Sequence, residues 1–111
     1  MPLYLHESRL EDEGLTGPVA GMAERLGVDV FRRQQGAILE RKDHRQTLAT
    51  YEGPVLVLCG RQDQVTPLPR SEEMVALAPD GVLTVIEDCG HLSTMERPEA
   101  VNAALRDWME R

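Results

Sequence analysis

One aspartate and one histidine stand where acid–base chemistry could be done. In the stretch Val85–Leu92 (Val-Ile-Glu-Asp-Cys-Gly-His-Leu) an apolar run ends, two acidic residues follow, and His91 comes directly after a glycine. Asp63 follows an earlier apolar run, 28 residues before His91. A carboxylate that accepts from one imidazole nitrogen fixes the tautomer and stabilises the imidazolium formed when the other nitrogen takes a proton. The pair therefore fits a catalytic acid and base, or an unrelated capping aspartate and surface histidine.

Two short apolar runs are predicted to be the strands that position this pair. Val55–Cys59 and Val82–Ile86 are continuous apolar runs bounded by turn residues, a pattern typical of strands buried on both faces. Helices are predicted from Pro69 to Leu77 and from Pro98 onward. The order strand, helix, strand, helix indicates a βαβ unit with two parallel strands and a right-handed crossover.

The carboxyl ends of parallel strands are where function collects in open α/β folds. Neighbouring strands lie about 4.8 Å apart, so the loops that follow them can bring Asp63 and His91 within hydrogen-bond reach. Gly90 is expected to let the backbone turn sharply and to leave room for the imidazole ring. Because a two-stranded parallel sheet is not independently stable, we expect these strands to belong to a larger sheet.

The first half of the chain has a helical pattern and shows no convincing strand. A helix is predicted to begin with Pro18 in its first turn and to end at Gly27. A second helix is predicted to follow it, and a short third one to run from Arg45 to Thr50. We therefore divide the chain into a helical segment, residues 1–50, and a strand-containing region, residues 51–111.

Composition excludes several classes of partner. The chain has 12 Lys and Arg against 19 Asp and Glu, a net charge of -7, which argues against binding nucleic acid or an anionic membrane. No apolar run approaches the roughly 20 residues that span a bilayer, and the N-terminus lacks the features of a signal peptide. We expect a cytoplasmic protein with Cys59 and Cys89 as free thiols. His6, His44 and His91 lack metal-ligand spacing, so no metal or cofactor is expected.

The ordered set of motifs in residues 53–111 resembles the C-terminal portion of an α/β-hydrolase. After each strand comes a short polar motif, and a third leads into the last helix: Gly60-Arg61-Gln62-Asp63 with Pro67, Asp88-Cys89-Gly90-His91, and Glu96-Arg97-Pro98-Glu99. The resemblance implies that Asp63 is the acid and His91 the general base of a catalytic triad. It also implies a partial α/β-hydrolase fold: an α/β architecture with a parallel βαβ unit and a C-terminal helix.

Residues 1–50 resemble, more loosely, the later part of the helical cap that such enzymes insert before this strand pair. A cap supplies an apolar wall of the substrate pocket. Met22, Phe31 and Ile38 are therefore candidates to face substrate, although ordinary packing explains them as well.

The nucleophile of this family has no counterpart in the sequence. It sits on a strand-to-helix elbow, usually Gly-x-Ser-x-Gly, that precedes the acid and the base. Ser8, Ser71 and Ser93 lack such flanking glycines. Cys89 is a poor substitute because residues two apart in a loop seldom face each other. An aspartate nucleophile, which some relatives of this family use, stays an open alternative because the elbow is absent from the sequence.

The resemblance implies a completed protein that hydrolyses a small ester, lactone or thioester by a Ser-His-Asp mechanism. The chain alone should be almost inert, since losing the nucleophile costs on the order of a million-fold in turnover. We expect a homodimer or a complementing chain to cover the open strand edge, and a small ester-like substrate once the missing N-terminal half is supplied. The alternative is a non-catalytic binding or interaction module derived from a hydrolase.

Overall fold

The computed structural model describes residues 3–111, so Met1 and Pro2 of the N-terminal stretch discussed above lie outside the described residues. A 3-10 turn at Glu7–Arg9 precedes the main elements. These are, in chain order, α1 (Glu13–Leu39), α2 (Arg45–Thr50), β1 (Val55–Gly60), α3 (Leu68–Leu77), β2 (Gly81–Ile86), α4 (Ser93–Glu96) and α5 (Pro98–Met109).

The sheet is the parallel pair that the sequence predicts. β1 and β2 are in register from Val55 opposite Gly81 to Gly60 opposite Ile86, and α3 makes the crossover between them. The predicted βαβ unit is therefore confirmed. Within residues 3–111 the sheet has two strands, so the edge of β1 that faces away from β2 has no strand beside it.

The core lies where α3 and α5 pack against the two strands. Its buried apolar residues include Val57, Cys59, Ile86, Val101 and Ala104. Val101 and Ala104 are three positions apart, so they share the face of α5 that meets the sheet.

Burial of the strands is less complete than the sequence predicts. Leu56 and Leu58 are only half-buried, and Val82 is 42% exposed. The reason is that a sheet of two strands offers its side chains fewer neighbours than the interior of a larger sheet does.

The first helix of the helical segment begins earlier than predicted. Asp12 caps α1 by accepting a hydrogen bond from the amide of Gly14 at 3.0 Å. Pro18 therefore lies inside the helix, and its predicted place in the first turn is wrong, because this cap starts the helix before Pro18. The predicted stop at Gly27 appears as a break with φ 80° and ψ 174°, after which α1 resumes and ends at Leu39.

No residue of α1 or α2 is buried. Several large apolar side chains of α1 are more than two-fifths exposed: Met22, Leu26, Val28, Phe31, Ile38 and Leu39. Within residues 3–111 no helix combines the length and the apolar character that a membrane crossing requires.

Candidate active site

Asp63 is fixed by its own loop at the end of β1. Its amide donates to the carbonyl of Gly60 at 3.1 Å, which closes a turn. Oδ1 accepts from the amides of Val65 and Thr66 at 2.9 and 3.0 Å, and Oδ2 accepts from the Thr66 hydroxyl at 3.0 Å. Such local bonds from an aspartate to the backbone two and three residues on define the loop and orient the carboxylate plane.

The electrostatic environment keeps Asp63 ionised. Burial raises the pKa of this carboxyl, whose residue is only 7% exposed, because a charge is poorly solvated there. The hydrogen bonds from the Thr66 amide, the His91 ring and the Thr66 hydroxyl outweigh burial, and the pKa lies below its ordinary value. Asp63 is therefore a carboxylate at neutral pH.

His91 lies directly against this carboxylate. Its Nδ1 is 3.0 Å from Asp63 Oδ2, and the Thr66 hydroxyl oxygen is 3.5 Å from the same nitrogen. Because an ionised carboxylate only accepts hydrogen bonds, the pairing assigns the ring proton to Nδ1. Nε2 has no hydrogen-bond partner among residues 3–111, and the side chain is 33% exposed. Nε2 is thus the nitrogen that is not engaged by Asp63.

The main chain of the histidine loop is held by the N-terminal segment. The amides of His91 and Leu92 both donate to the carbonyl of Tyr4, at 2.9 and 3.1 Å. The Tyr4 ring lies 6.1 Å from the imidazole, centroid to centroid. The next residue, Leu5, is 2% exposed. No local signal in the sequence indicates this packing, because the two segments lie far apart along the chain.

Two glycines are needed because backbones approach closely here. A Cβ on Gly60 would lie 2.5 Å from the carbonyl oxygen of Cys89 and still closer to that of Gly90. A Cβ on Gly90 would lie 2.9 Å from the His6 nitrogen. Gly90 is not in the left-handed region of φ. Its role is therefore to admit the N-terminal segment, and the predicted sharp turn is not the reason for it.

The environment of Cys89 does not suit a nucleophile. Its side chain is fully buried, and burial, with a further contribution from the charge of Glu96, raises the pKa of the thiol to about 11. A thiol in such surroundings is not activated. Cys59 and Cys89 are both free, and residues 3–111 contain no cluster of three or more potential metal ligands.

A cleft of about 690 Å³ opens beside the aspartate, between the end of β1 and α3. Asp63 and Thr66 line it together with apolar residues such as Leu58 and Met74, whereas His91 does not. A second cleft, of about 820 Å³ between β2 and α5, contains neither Asp63 nor His91. The candidate cap residues line neither cleft: Met22, Phe31 and Ile38.

Two residues of the site were missed from the sequence. Thr66 could have been found, because an aspartate followed three positions later by threonine is typical of a loop closed by side-chain hydrogen bonds. Glu96 carried no such signal. It belongs to the motif that precedes α5, and only the folded chain shows that its carboxylate is buried.

Comparisons with known proteins identify the family of the chain. The profile of the alpha/beta hydrolase family matches residues 3–104. A protein of Serratia proteamaculans that carries the name carbamate hydrolase RutD is 32% identical over 115 residues. The match covers 97% of this chain and 42% of the length of that protein. A Pseudomonas putida protein named 2-hydroxy-6-oxononadienedioate/2-hydroxy-6-oxononatrienedioate hydrolase 2 is 29% identical over 61% of this chain and 24% of its own.

Solved structures resemble the chain in the same way. The structure named as that of the non-heme bromoperoxidase BpoC from Mycobacterium tuberculosis superimposes with a TM-score of 0.77 and 27% identity, over 97% of this chain and 41% of its own. An esterase from Thermogutta terrifontis gives a TM-score of 0.62 and 39% identity over 64% of this chain and 26% of its own.

The chain belongs to the α/β-hydrolase family, which confirms the resemblance seen in the sequence. Its architecture is a partial α/β-hydrolase fold, with the parallel βαβ unit and last helix preceded by a helical segment. It spans 20 to 42% of the length of the curated relatives it matches.

Proposed function

We propose that Asp63 and His91 are the acid and base of a hydrolytic relay. The observation that carries the proposal is the 3.0 Å contact between Asp63 Oδ2 and His91 Nδ1, with Nε2 left unpaired among the described residues. Asp63 holds the imidazole in one tautomer and stabilises the imidazolium that forms during the reaction. The hydrolase names of several relatives support the same class of chemistry.

The proposed reaction is hydrolysis of a small ester, lactone or thioester. A serine hydroxyl attacks the carbonyl carbon while its proton passes to Nε2 of His91. The imidazolium then gives that proton to the leaving alkoxide or thiolate, which departs as the alcohol or thiol. In the second half, His91 takes a proton from water, the hydroxide attacks the acyl-enzyme, and the serine recovers its proton as the carboxylic acid departs.

The nucleophile in this proposal comes from outside the 111 residues. The described hydrogen-bond partners of the His91 ring are Asp63 and Thr66, and no serine is among them. Ser8 is instead bonded to the ring of His6, and Ser71 is buried on α3. We also propose that residues 1–50 are part of a cap and that residues 51–111 belong to the catalytic core.

The test uses the chain alone and the chain completed by a relative. The N-terminal part of the Mycobacterium tuberculosis protein BpoC, up to the matched region, is joined to residues 1–111, and hydrolysis of p-nitrophenyl acetate is measured. The chain alone should be no faster than its His91→Ala variant. The chimera should turn over, and His91→Ala should abolish that turnover. A fluorophosphonate probe checks that the chimera holds an active serine. If the probe labels the chimera and its turnover survives His91→Ala, the result contradicts the relay.

One observation favours a second function, that of an interaction module. Among residues 3–111 one edge of β1 is unpaired, and residues of β1 line two clefts. One is the cleft of about 690 Å³, and the other, of about 350 Å³, is lined by residues that include Leu56, Leu58, Val101 and Trp108. An unpaired strand edge is a template for pairing with another chain. Under this alternative the chain associates with a partner or with itself, and association survives Asp63→Asn and His91→Ala without any turnover.

A further inference from the structure

Glu96 is a buried carboxylate that the proposed relay does not use. It ends α4, and its side chain is 0% exposed. A carboxylate is costly to bury unless hydrogen bonds and a nearby cation replace the water it has lost. Its partners therefore indicate what the buried group contributes to the structure.

The two oxygens of Glu96 bind two different segments. Oε2 accepts the amide of Gly90 at 3.0 Å, which is the residue directly before His91. Oε1 accepts the amide of His6 at 2.9 Å, across a separation of 90 residues. Both segments support His91, because the carbonyl of Tyr4, two residues before His6, accepts the His91 amide.

Arg9 completes the arrangement. Its Nη1 lies 3.5 Å from Glu96 Oε1 and donates to the carbonyl of Asp88 at 2.7 Å. The guanidinium thus joins the carboxylate to the start of the histidine loop, and the Arg9 side chain is itself only 15% exposed. One carboxylate and one guanidinium thereby fix the loop on both sides of Cys89.

We propose that Glu96 is a positioning residue for His91. By holding the Gly90 amide and the N-terminal segment together, it sets the backbone from which the imidazole projects toward Asp63. The inference rests on the proposed function, since the orientation matters only if the pair acts as a relay. A misplacement of about 1 Å in such a constellation is enough to cost about a hundredfold in rate.

Replacing Glu96 by glutamine tests this arrangement with little change in volume. An amide side chain has one oxygen, which can accept from one of the two backbone amides, while its NH2 group faces the other donor. Glu96→Gln therefore releases either the Gly90 side or the His6 side. Glu99→Gln is the matched control, because Glu99 is an exposed residue in the first turn of α5.

The readout is the tautomer of His91 in the ¹⁵N-labelled chain, measured by NMR at a pH where the imidazole is neutral. Wild type and Glu99→Gln should show the proton on Nδ1. Glu96→Gln should move the ring ¹⁵N signals toward a mixture of both tautomers, in the direction seen for Asp63→Asn. Loss of stability alone would not move these signals, so the readout separates positioning from general support of the fold.

Arg9→Gln is the second variant, for use if Glu96→Gln does not fold. It keeps both carboxylate–amide bonds and should shift the same signals in the same direction, by less. Unchanged His91 signals in folded Glu96→Gln, or in Arg9→Gln if Glu96→Gln is unfolded, overturn the inference. Unchanged signals in Asp63→Asn overturn the relay itself, so the two failures are distinguishable.

Discussion

The strand-containing region and the helical segment differ in how they bury their apolar residues. Apart from Leu5, the buried apolar side chains of the core lie in residues 51–111, among them Val57, Ile86 and Val101, whereas α1 and α2 contain none. Both regions have apolar residues at regular spacing. The difference is that the strands, α3 and α5 contact one another, while the apolar face of α1 has no such covering surface among residues 3–111.

The stability of the site comes from the packed region and from the N-terminal segment that contacts it. Asp63 and His91 are held by their own loops, by Glu96 and by the Tyr4–Arg9 segment. None of these contacts involves α1. Because most helical stability in proteins comes from packing an apolar face, α1 should contribute little to the free energy of unfolding of the isolated chain.

The largest effect is expected from an added methyl group where the two strand-end loops touch. Gly60→Ala places a Cβ against the carbonyls of Cys89 and Gly90, and should reduce the free energy of unfolding by about 3 kcal/mol. Gly36→Ala is the matched change in α1, where nothing lies within 4 Å, and should stabilise by about 0.5 kcal/mol. Urea unfolding measures both. Equal free energies of unfolding for the two variants would contradict the difference in packing between the two regions.

The next effect compares side chains truncated in the two regions. Val101→Ala removes a 4% exposed side chain from the core and should cost about 2 kcal/mol. Phe31→Ala removes a 60% exposed side chain from α1 and should cost less than about 0.5 kcal/mol. Thermal and urea unfolding provide the values. A cost at Phe31 as large as that at Val101 would mean that α1 packs on another surface in solution.

The smallest effect depends on pH. Asp63→Asn should cost about 1 to 2 kcal/mol at pH 7, because the amide cannot replace a carboxylate that accepts four hydrogen bonds. The folded-state pKa of Asp63 lies below its unfolded value of about 3.9. Its contribution is therefore complete above that value and is lost as the pH falls through the folded pKa.

The measurement is the difference in unfolding free energy between wild type and Asp63→Asn from pH 7 to about pH 3, where it should shrink. Asp12→Asn is the control in the helical segment, and its cost should be near zero because asparagine caps a helix as well as aspartate does. A difference for Asp63 that stays constant down to the lowest pH would contradict an ionised, hydrogen-bonded carboxylate.

Local signals in the sequence predicted the elements that position the site. Continuous apolar runs between turn residues gave β1 and β2, and Pro98 gave the start of α5, because these signals act within a few residues. The predicted start of α1 was wrong because two local signals compete there. The cap at Asp12 outweighs the preference of Pro18 for a first turn.

The contacts that hold the histidine loop could not be predicted in this way. The roles of Glu96 and Gly90 depend on Tyr4–Arg9, which lies at the other end of the chain. No periodicity or motif in either segment indicates that they meet. The proximity of Asp63 and His91 could be predicted from the sequence, because strand topology brings their loops together. The contacts of Glu96 could not be predicted in this way.

The most direct test of the central claim is the tautomer of His91 in wild type and in Asp63→Asn. Long-range ¹H–¹⁵N NMR spectra of the neutral imidazole distinguish a proton on Nδ1 from one on Nε2. We predict the Nδ1–H tautomer in wild type and a shift toward Nε2–H in Asp63→Asn, because the carboxylate fixes the proton. An Nε2–H tautomer in wild type, or spectra that Asp63→Asn leaves unchanged, would show that Asp63 does not hold the His91 ring.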